Sequence, residues 1–481
     1  MKYPGADFDA TAAALLSPSD YVNPQPRSKY HLVVLGAGPA GLIAAIGAAG
    51  LGARVALIEA HQMGGDCLNV GCVPSKALLE YTRSHPQATF DEAFRWLRQV
   101  RAGIAPHDSV ARYCDAGVDV FLGRGGFDER GRICVDGAPL NARRTLICTG
   151  ARAVVPPIAG LAECQPLTNE TVFDLSHKPD SLAILGAGAI GCELALVFAR
   201  LGVEVHLFEL SERVLPLEMP AAGEVVGAAL SSCGVKLHLG DGVDGVSRDT
   251  GVVHVTAGDA RVAVDEVLVA LGRRPNTGSL GLEHAGVTVD DQGFIVTDAR
   301  LRTSNKRIYA AGDCTARLQF THHADAQARV VVQNALFAPT AKADALVVPH
   351  CTYTQPEVAS VGASEQELQG RGVAYDTYQV RFDELDRGRA ENDTAGFACV
   401  RLRQGTDEIL SATVVGHDAG EQIAPICLLM SNGLGLSAAG KAILPYPTRA
   451  EYLKRLADAY NRNRLTPFVA RLFKAWMDLT G

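Results

Sequence analysis

The sequence carries no surplus of positive charge. Its 481 residues hold 45 Lys and Arg against 53 Asp and Glu, a formal net charge of −8, and the isoelectric point is near 5.9. A general nucleic-acid binder shows a basic footprint, so that class is set aside. The N-terminus, MKYPGADFDATAAALLSPSDYVNPQPRSKY, lacks the charged-then-apolar build of a signal peptide. It is expected to be a loose arm over residues 1–29, and a reducing, cytoplasmic compartment is the expectation that goes with it. The longest charge-free run, Leu32–Ala53, is nearly long enough to cross a membrane. Glycines punctuate it in a pattern that has another explanation, given below.

A second cysteine or histidine pair at zinc-ligand spacing is also missing. The twelve cysteines are scattered, and only Cys67 and Cys72, in GGDCLNVGCVPSK (Gly64–Lys76), lie close together. A zinc site would need two further ligands at matching spacing. A staple closing so short a loop gains only about 2 kcal/mol from chain entropy. Redox work is the leading reading of the pair, with a staple and half a metal site as the alternatives.

What is present is a globular composition, 47% apolar and 20% charged, at a length that suits two to four domains. Within it lies a repeat at an offset of 150 residues. HLVVLGAGPAGLIAAIGAAGLGARVALIEA begins at His31, and SLAILGAGAIGCELALVFARLGVEVHLFEL begins at Ser181. Each reads as an apolar strand, a Gly-x-Gly-x-x-Gly turn, a helix of small residues and a second strand ending in glutamate. The glycines are Gly36, Gly38 and Gly41, then Gly186, Gly188 and Gly191; the acids Glu59 and Glu209 each lie 23 residues past the first glycine. The first glycine permits the tight turn, the second lets backbone approach a pyrophosphate, and the third lets helix pack on strand. The helix N-terminus offers free N–H groups to the phosphates, and the acid takes ribose hydroxyls. Two adenine dinucleotides are therefore expected. Glu209 would repel a 2′-phosphate and favours NADH over NADPH, while Arg213 nearby keeps NADPH open.

Further motifs follow in order: LICTGARAVVPP (Leu146–Pro157), LVALGRRPNT (Leu268–Thr277), IYAAGDCT (Ile308–Thr315) and YTQPEVASVG (Tyr353–Gly362). With both fingerprints and the cysteine loop, this set resembles the FAD-dependent pyridine nucleotide–disulfide oxidoreductases over about Tyr30–Glu451, closest to mercuric reductase-like members and also similar to dihydrolipoamide dehydrogenase. The resemblance implies an α/β protein with two Rossmann-like dinucleotide-binding domains, for FAD and NAD(P), and a C-terminal α+β dimerisation domain. In the layout expected, the FAD-binding domain occupies 30–150 and resumes at 271–345. The NAD(P)-binding domain is inserted at 151–270, and dimerisation with a helical extension takes 346–481. A homodimer is implied.

The same resemblance assigns site residues. Gly65 lets the cysteine loop run close to FAD, Cys72 faces the flavin, and Cys67 meets the acceptor. Lys76 pairs with Glu193 near the flavin. Thr149, Gly150, Gly272, Asp313 and His322 contribute to cofactor binding, His322 through its backbone N–H. A helix N-terminus and a nearby cation lower a thiol pKa. Asp66, where many relatives have threonine, is expected to raise that of Cys67.

The disulfide-reducing branches end in His-Pro-Thr-x-x-Glu, where the histidine shuttles a proton. Here the stretch is YPTRAE, so Tyr446 replaces the histidine and Glu451 remains. A tyrosine with pKa near 10 is a poor base at pH 7. Mercuric reductases share that tyrosine, and soft sulfur ligands suit a soft metal ion. Cys67 and Cys72 are then the transient ligands of a substrate metal such as Hg(II). Two family features are lacking: the terminal cysteine pair of mercuric reductases, and a Cys-x-x-Cys domain before Tyr30. The readings are a mercuric reductase-like oxidoreductase using NADH or NADPH, a dihydrolipoamide dehydrogenase-like enzyme, and a low-turnover flavoprotein that binds or senses. Beyond Glu451, Thr466 and Pro467 predict the start of a helix. Its apolar face of Phe468, Leu472, Phe473 and Trp476 is expected to dock on the chain itself, with a membrane surface as the alternative.

Overall fold

In a computed structural model the structure is described for residues 3–315 and 318–481. The chain forms two compact units: Met1–Gly186, Leu194–Leu210 and Asp241–Leu346 make the first, and Ala187–Glu193, Ser211–Gly240 and Val347–Gly481 the second.

The first unit opens with α1 (Ala6–Leu16), β1 (Leu32–Leu35), α2 (Pro39–Gly50), β2 (Val55–Glu59), α3 (Gly65–Asn69), α4 (Cys72–Ser84), α5 (Phe90–Asp108), β3 (Val118–Leu122) and β4 (Thr145–Ile147). The strand Ile308–Ala310, below β9, closes its main sheet. The five strands are parallel in the order β9, β4, β1, β2, β3, with Leu35 opposite Ile58 and Ile147. Helices on the faces of a parallel sheet bury its strands on both sides, so β1, LVVL, reads as an unbroken apolar run. The charge-free run Leu32–Ala53 is thus a buried strand and a small-residue helix. Among the described residues no helix is long and apolar enough to cross a membrane.

The second fingerprint repeats the pattern. Strand β5 (Ser181–Leu185) leads through Gly186 into α6 (Ala189–Arg200), and β5 lies between β6 (Glu204–Glu209) and β7 (Glu266–Val269), both parallel to it. A short strand, β8 (Arg273–Pro275), pairs antiparallel with Ala151–Ala153. After β9 the chain enters α7 (Thr321–Leu336).

In the second unit β10 (Pro349–Thr352), β11 (Glu357–Gly362), β12 (Tyr375–Arg381), β13 (Phe397–Arg403) and β14 (Ile409–Gly416) form an antiparallel sheet in the order β10, β11, β14, β13, β12. Helix α8 (Asp386–Ala390) lies between β12 and β13, and α9 (Glu451–Arg464) and α10 (Pro467–Thr480) end the chain. The architecture is the expected one: parallel-sheet Rossmann-like folds and a C-terminal α+β dimerisation domain.

Two expectations are corrected. The N-terminal segment is not loose. Helix α1 packs on α5, and Leu16 is fully buried in the core that also holds Leu68 and Met63. Burying one leucine contributes about 1.5–3 kcal/mol, enough to hold a short segment in place. At the other end α10 forms as expected, with Pro467 first and the Thr466 hydroxyl accepting from Val469 N at 3.3 Å. Its apolar face does not dock on the chain: no residue of α10 is buried, and Phe468 and Trp476 are 68% and 64% exposed.

Candidate active site

The first fingerprint is built as its glycines require. Gly36 has φ +105°, and a Cβ there would lie 2.4 Å from the Cys148 carbonyl oxygen. A Cβ on Gly41 would lie 1.9 Å from the Gly36 oxygen, so α2 closes on β1 only because both are glycine. Glu59, at the end of β2, accepts from Ala37 N at 2.7 Å through Oε2 and from His61 N at 2.8 Å through Oε1. Burial pushes its carboxyl up while those N–H groups pull it down. A carboxylate has about four lone-pair positions, so capacity remains for ribose hydroxyls.

The cysteine loop abuts this turn. Gly65 has φ +58°, and a Cβ on it would stand 2.6 Å from the Gly38 Cα. The two glycines meet backbone to backbone at the N-terminus of α2, with no side chain between them. The first turn of any helix has N–H groups without intrahelical partners, which a pyrophosphate can accept from. Gly65→Ala is expected to lose FAD. Its methyl group would push the cysteine loop off the Gly38 backbone, and a left-handed conformation costs a non-glycine residue about 1–2 kcal/mol. The ratio of absorbance at 280 to 450 nm checks this, and full FAD content in the variant would contradict the need for that contact.

Three more segments converge there. Gly312, before Asp313, donates its N–H to Gln327 Oε1 of α7 at 2.7 Å, and a Cβ on it would be 3.5 Å from the Cβ of Ala40 in α2. Asp313 is largely buried. Desolvation pushes its carboxyl up, and the Arg273 guanidinium, with Nε 3.9 Å away, opposes that. Thr149 donates to the Asn276 carbonyl at 2.8 Å, and Asn276 N donates back to the Gly150 carbonyl at 3.0 Å. Gly272 has φ +107° and its carbonyl accepts from Val154 N at 3.1 Å. His322 is the second residue of α7, its ring exposed and stacked on Phe320.

Neither cysteine is in a disulfide. Cys67 lies in the middle of α3, and Cys72 is the first residue of α4, at the positive end of the helix dipole. The Cys67 thiol is pushed up, first by its hydrogen bond to Cys72, then by burial, and further by the Asp108 carboxylate; a hydrogen bond from Thr321 opposes this. The Thr321 hydroxyl lies 3.4 Å from Cys72 Sγ.

Asp66 does not raise Cys67 as expected. It is ion-paired with Arg273 and acts on Asp313, and the carboxylate that raises Cys67 is Asp108. Thr321, Asp108 and Arg273 are the site residues that sequence reasoning missed. The doubled arginine in LVALGRRPNT was the one visible signal: an uncompensated cation beside a cofactor motif calls for an anion.

In the second fingerprint Gly186 has φ +101°, and its N–H donates to the Phe208 carbonyl at 2.8 Å. Gly188 leaves open space where a Cβ would stand. Gly191 is buried near the start of α6, and Glu209 ends β6, half-buried. Lys76 is half-buried on α4. Glu193 is 4% exposed on α6, and its Oε1 accepts from Tyr353 N at 2.9 Å. Arg213 turns into its own loop, donating to the Pro216 carbonyl at 2.8 Å.

Tyr446 is 70% exposed, and its hydroxyl donates to Asp386 of α8 at 2.5 Å. That bond holds the phenol above its usual range. Glu451, the first residue of α9, accepts from Arg455 Nε at 2.8 Å through Oε1. Its Oε2 is buried and has no hydrogen-bond partner among the described residues. Tyr446 and Glu451 thus each have their own partner.

Residues 30–328 match the pyridine nucleotide-disulphide oxidoreductase family model, and residues 348–457 match the dimerisation domain of the same family. The chain belongs to that family. It is 33% identical to a mercuric reductase of Staphylococcus aureus, over 90% of this chain and 83% of that protein. It is 30% identical to dihydrolipoyl dehydrogenase 3 of Haloarcula marismortui, over 89% of this chain and 95% of that one. Among solved structures, the HOCl-induced flavoprotein disulfide reductase RclA of Escherichia coli superposes with a TM-score of 0.82 at 31% identity, covering 89% of this chain and 99% of that one. Its Cu(II) complex gives 0.83 at 30% identity, covering 90% and 100%. The family uses FAD and NAD(P)H, and the glycine turn at the N-terminus of α2, whose N–H groups have no intrahelical partner, suits a dinucleotide's phosphates.

Proposed function

We propose that this flavin-dependent oxidoreductase passes electrons from NADH, by way of FAD and the Cys67–Cys72 pair, to a thiophilic metal ion such as Hg(II) or Cu(II). The observation that carries the reading is Tyr446. Where disulfide reductases place a proton-shuttling histidine, this chain has a phenol bonded to Asp386 and held above its usual range. Such a group cannot take up a proton at neutral pH. A metal acceptor bound through sulfur needs no proton delivered to a leaving thiolate. The name mercuric reductase on one relative and the Cu(II) complex of RclA point to the same class of acceptor.

In this reading Gly36, Gly38, Gly41, Glu59, Gly65, Thr149, Gly150, Gly272 and Asp313 hold FAD, and the His322 backbone N–H faces its pyrimidine edge. Gly186, Gly188, Gly191 and Glu209 hold NADH within the 151–270 segment. When bound, FAD supplies the two-electron exchange between nicotinamide and sulfur that no side chain can perform. Lys76 and Glu193 pair to fix charge beside it. Cys72 takes the flavin side, Cys67 and Cys72 together present two soft ligands to the metal ion, and Thr321 orients both sulfurs. Tyr446 and Glu451 complete the acceptor side from the second copy of a homodimer.

The test is steady-state NADH and NADPH oxidation with Hg(II), Cu(II), lipoamide, glutathione disulfide and quinones. Metal-stimulated turnover should exceed that with either disulfide. NADH should give the higher kcat/KM, because Glu209 repels a 2′-phosphate and Arg213 is engaged with Pro216. Faster lipoamide turnover would establish the dihydrolipoamide dehydrogenase reading. Turnover with none of the acceptors would leave a binding or sensing flavoprotein.

A further inference from the structure

The N-terminal segment lies before the family match at residue 30, yet it is bonded to the loop that carries the redox pair. Helix α1 holds α3 at both ends. At the entrance, the Leu16 carbonyl at the end of α1 accepts from Met63 N at 3.1 Å. At the exit, Asp9 Oδ1 pairs with the Arg101 guanidinium at 2.5 Å. A second nitrogen of Arg101 donates to the Asn69 carbonyl, the last of α3, at 3.0 Å. The Asn69 amide closes the ring, donating to the Met63 and Gly65 carbonyls at 3.1 and 2.9 Å. Cys67 sits between those two ends.

The electrostatics give Asp9 weight. Arg98 is fully buried and Arg101 8% exposed. Asp9 is within 3.2 Å of the first and 2.5 Å of the second. The other carboxylate in reach, Asp174, is 3.8 Å from Arg101 and mostly exposed. Two buried cations sharing one close anion hold that anion, and the helix bearing it, in a fixed place. The later portion of the segment is tied elsewhere. Asn23 bonds both the N–H and the carbonyl of Leu122 in β3, at 2.8 and 2.9 Å.

We propose that α1 is a positioning element for the redox loop, and that Asp9, acting through Arg101 and the Asn69 carbonyl, sets the approach of Cys67 to Cys72 in the dithiol state. Asp9 and Arg101 are positioning residues; neither touches a sulfur. The disulfide takes two electrons and two protons to become the dithiol. By holding the two thiols near each other, the clamp reduces the entropy lost when they join. Loosening the clamp therefore favours the dithiol and makes the couple more oxidising.

The experiment is a redox titration of the FAD-loaded protein in dithiothreitol buffers. Samples are quenched in acid and labelled with maleimide, and mass spectrometry counts the labels. Formation of the Cys67–Cys72 disulfide protects two of the twelve thiols. Asp9→Asn should shift the disulfide–dithiol equilibrium about tenfold towards dithiol, about 30 mV for a two-electron couple. Asp9→Glu should restore most of it. Asn23→Ala removes ties of the same segment to β3, and should lower Tm while leaving the equilibrium within twofold. Arg101→Lys covers a failure of Asp9→Asn to fold. Lysine keeps the cation beside Asp9 but lacks the fork that reaches Asn69 at the same time, and the same shift is expected. The proposal is overturned if the variants that fold keep the wild-type equilibrium, or if Asn23→Ala shifts it as far as Asp9→Asn does.

Discussion

Cys72→Ser should give a yellow protein that retains FAD and has lost the long-wavelength absorbance band expected of the wild type after two-electron reduction. The band needs a polarisable, electron-rich sulfur against the flavin. Two features favour a thiolate at Cys72: it is the first residue of α4, at the positive end of the helix dipole, and the Thr321 hydroxyl lies 3.4 Å away. A serine hydroxyl is neither ionised at neutral pH nor soft. FAD should stay, because the glycines proposed to hold it, Gly36, Gly38 and Gly65, are unchanged. Acceptor turnover should fall to background. Cys67→Ser should separate the two roles: it keeps Cys72 and hence the band, but loses turnover. A purified wild type that stays without the band on reduction would remove Cys72 from the flavin side.

The features of this site legible in the sequence are those whose geometry is local. A fingerprint spans one turn and its first helical residues, and its acid follows at a distance set by one helix and two strands. The cysteine pair and the Tyr446–Glu451 stretch are equally short. What the sequence hides joins distant segments. Thr321 and Cys72 are 249 residues apart, Arg273 and Asp66 are 207 apart, and Arg101 and Asp9 are 92 apart. A residue's type can mark it as unusual, as it does for Asp66, yet its partner is set by the fold. The raised thiol of Cys67 is expected from Asp66 and arises instead from Cys72, burial and Asp108.

The N-terminal segment is a different case, because its signal is present. Phe8, Ala12 and Leu16 recur at a spacing of four, and Asp7 and Asp9 fall in the first helical turn, where acids favour helix formation. The alanine-rich run between them is a strong helix former. Absence of a targeting pattern is not absence of structure. At the C-terminus the reverse holds: the helix and its cap follow from Thr466 and Pro467, but no sequence pattern says what an apolar face will cover.

Tyr446→His is expected to raise lipoamide and glutathione disulfide turnover. General acid–base catalysis is typically worth about 10²–10⁴-fold, so even partial recovery is measurable. Glu451 Oε2 is already buried and without a hydrogen-bond partner among the described residues, and an imidazole N–H could satisfy it and be oriented by it. Arg455 holds the other oxygen at 2.8 Å, which fixes the carboxylate plane. Asp386, freed from the phenol, is a competing acceptor for the new ring. Asp386→Asn in the histidine background should therefore increase the gain by weakening that competitor. Tyr446→Phe tests the other activity. It removes the hydroxyl and keeps the ring, so metal-dependent NADH oxidation should fall while disulfide turnover stays low. The two substitutions move two activities in different directions, which a change in stability alone would not do. If the wild type already reduces lipoamide rapidly and Tyr446→Phe leaves every rate unchanged, Tyr446 has no role in the chemistry, and the metal reading loses the residue on which it rests.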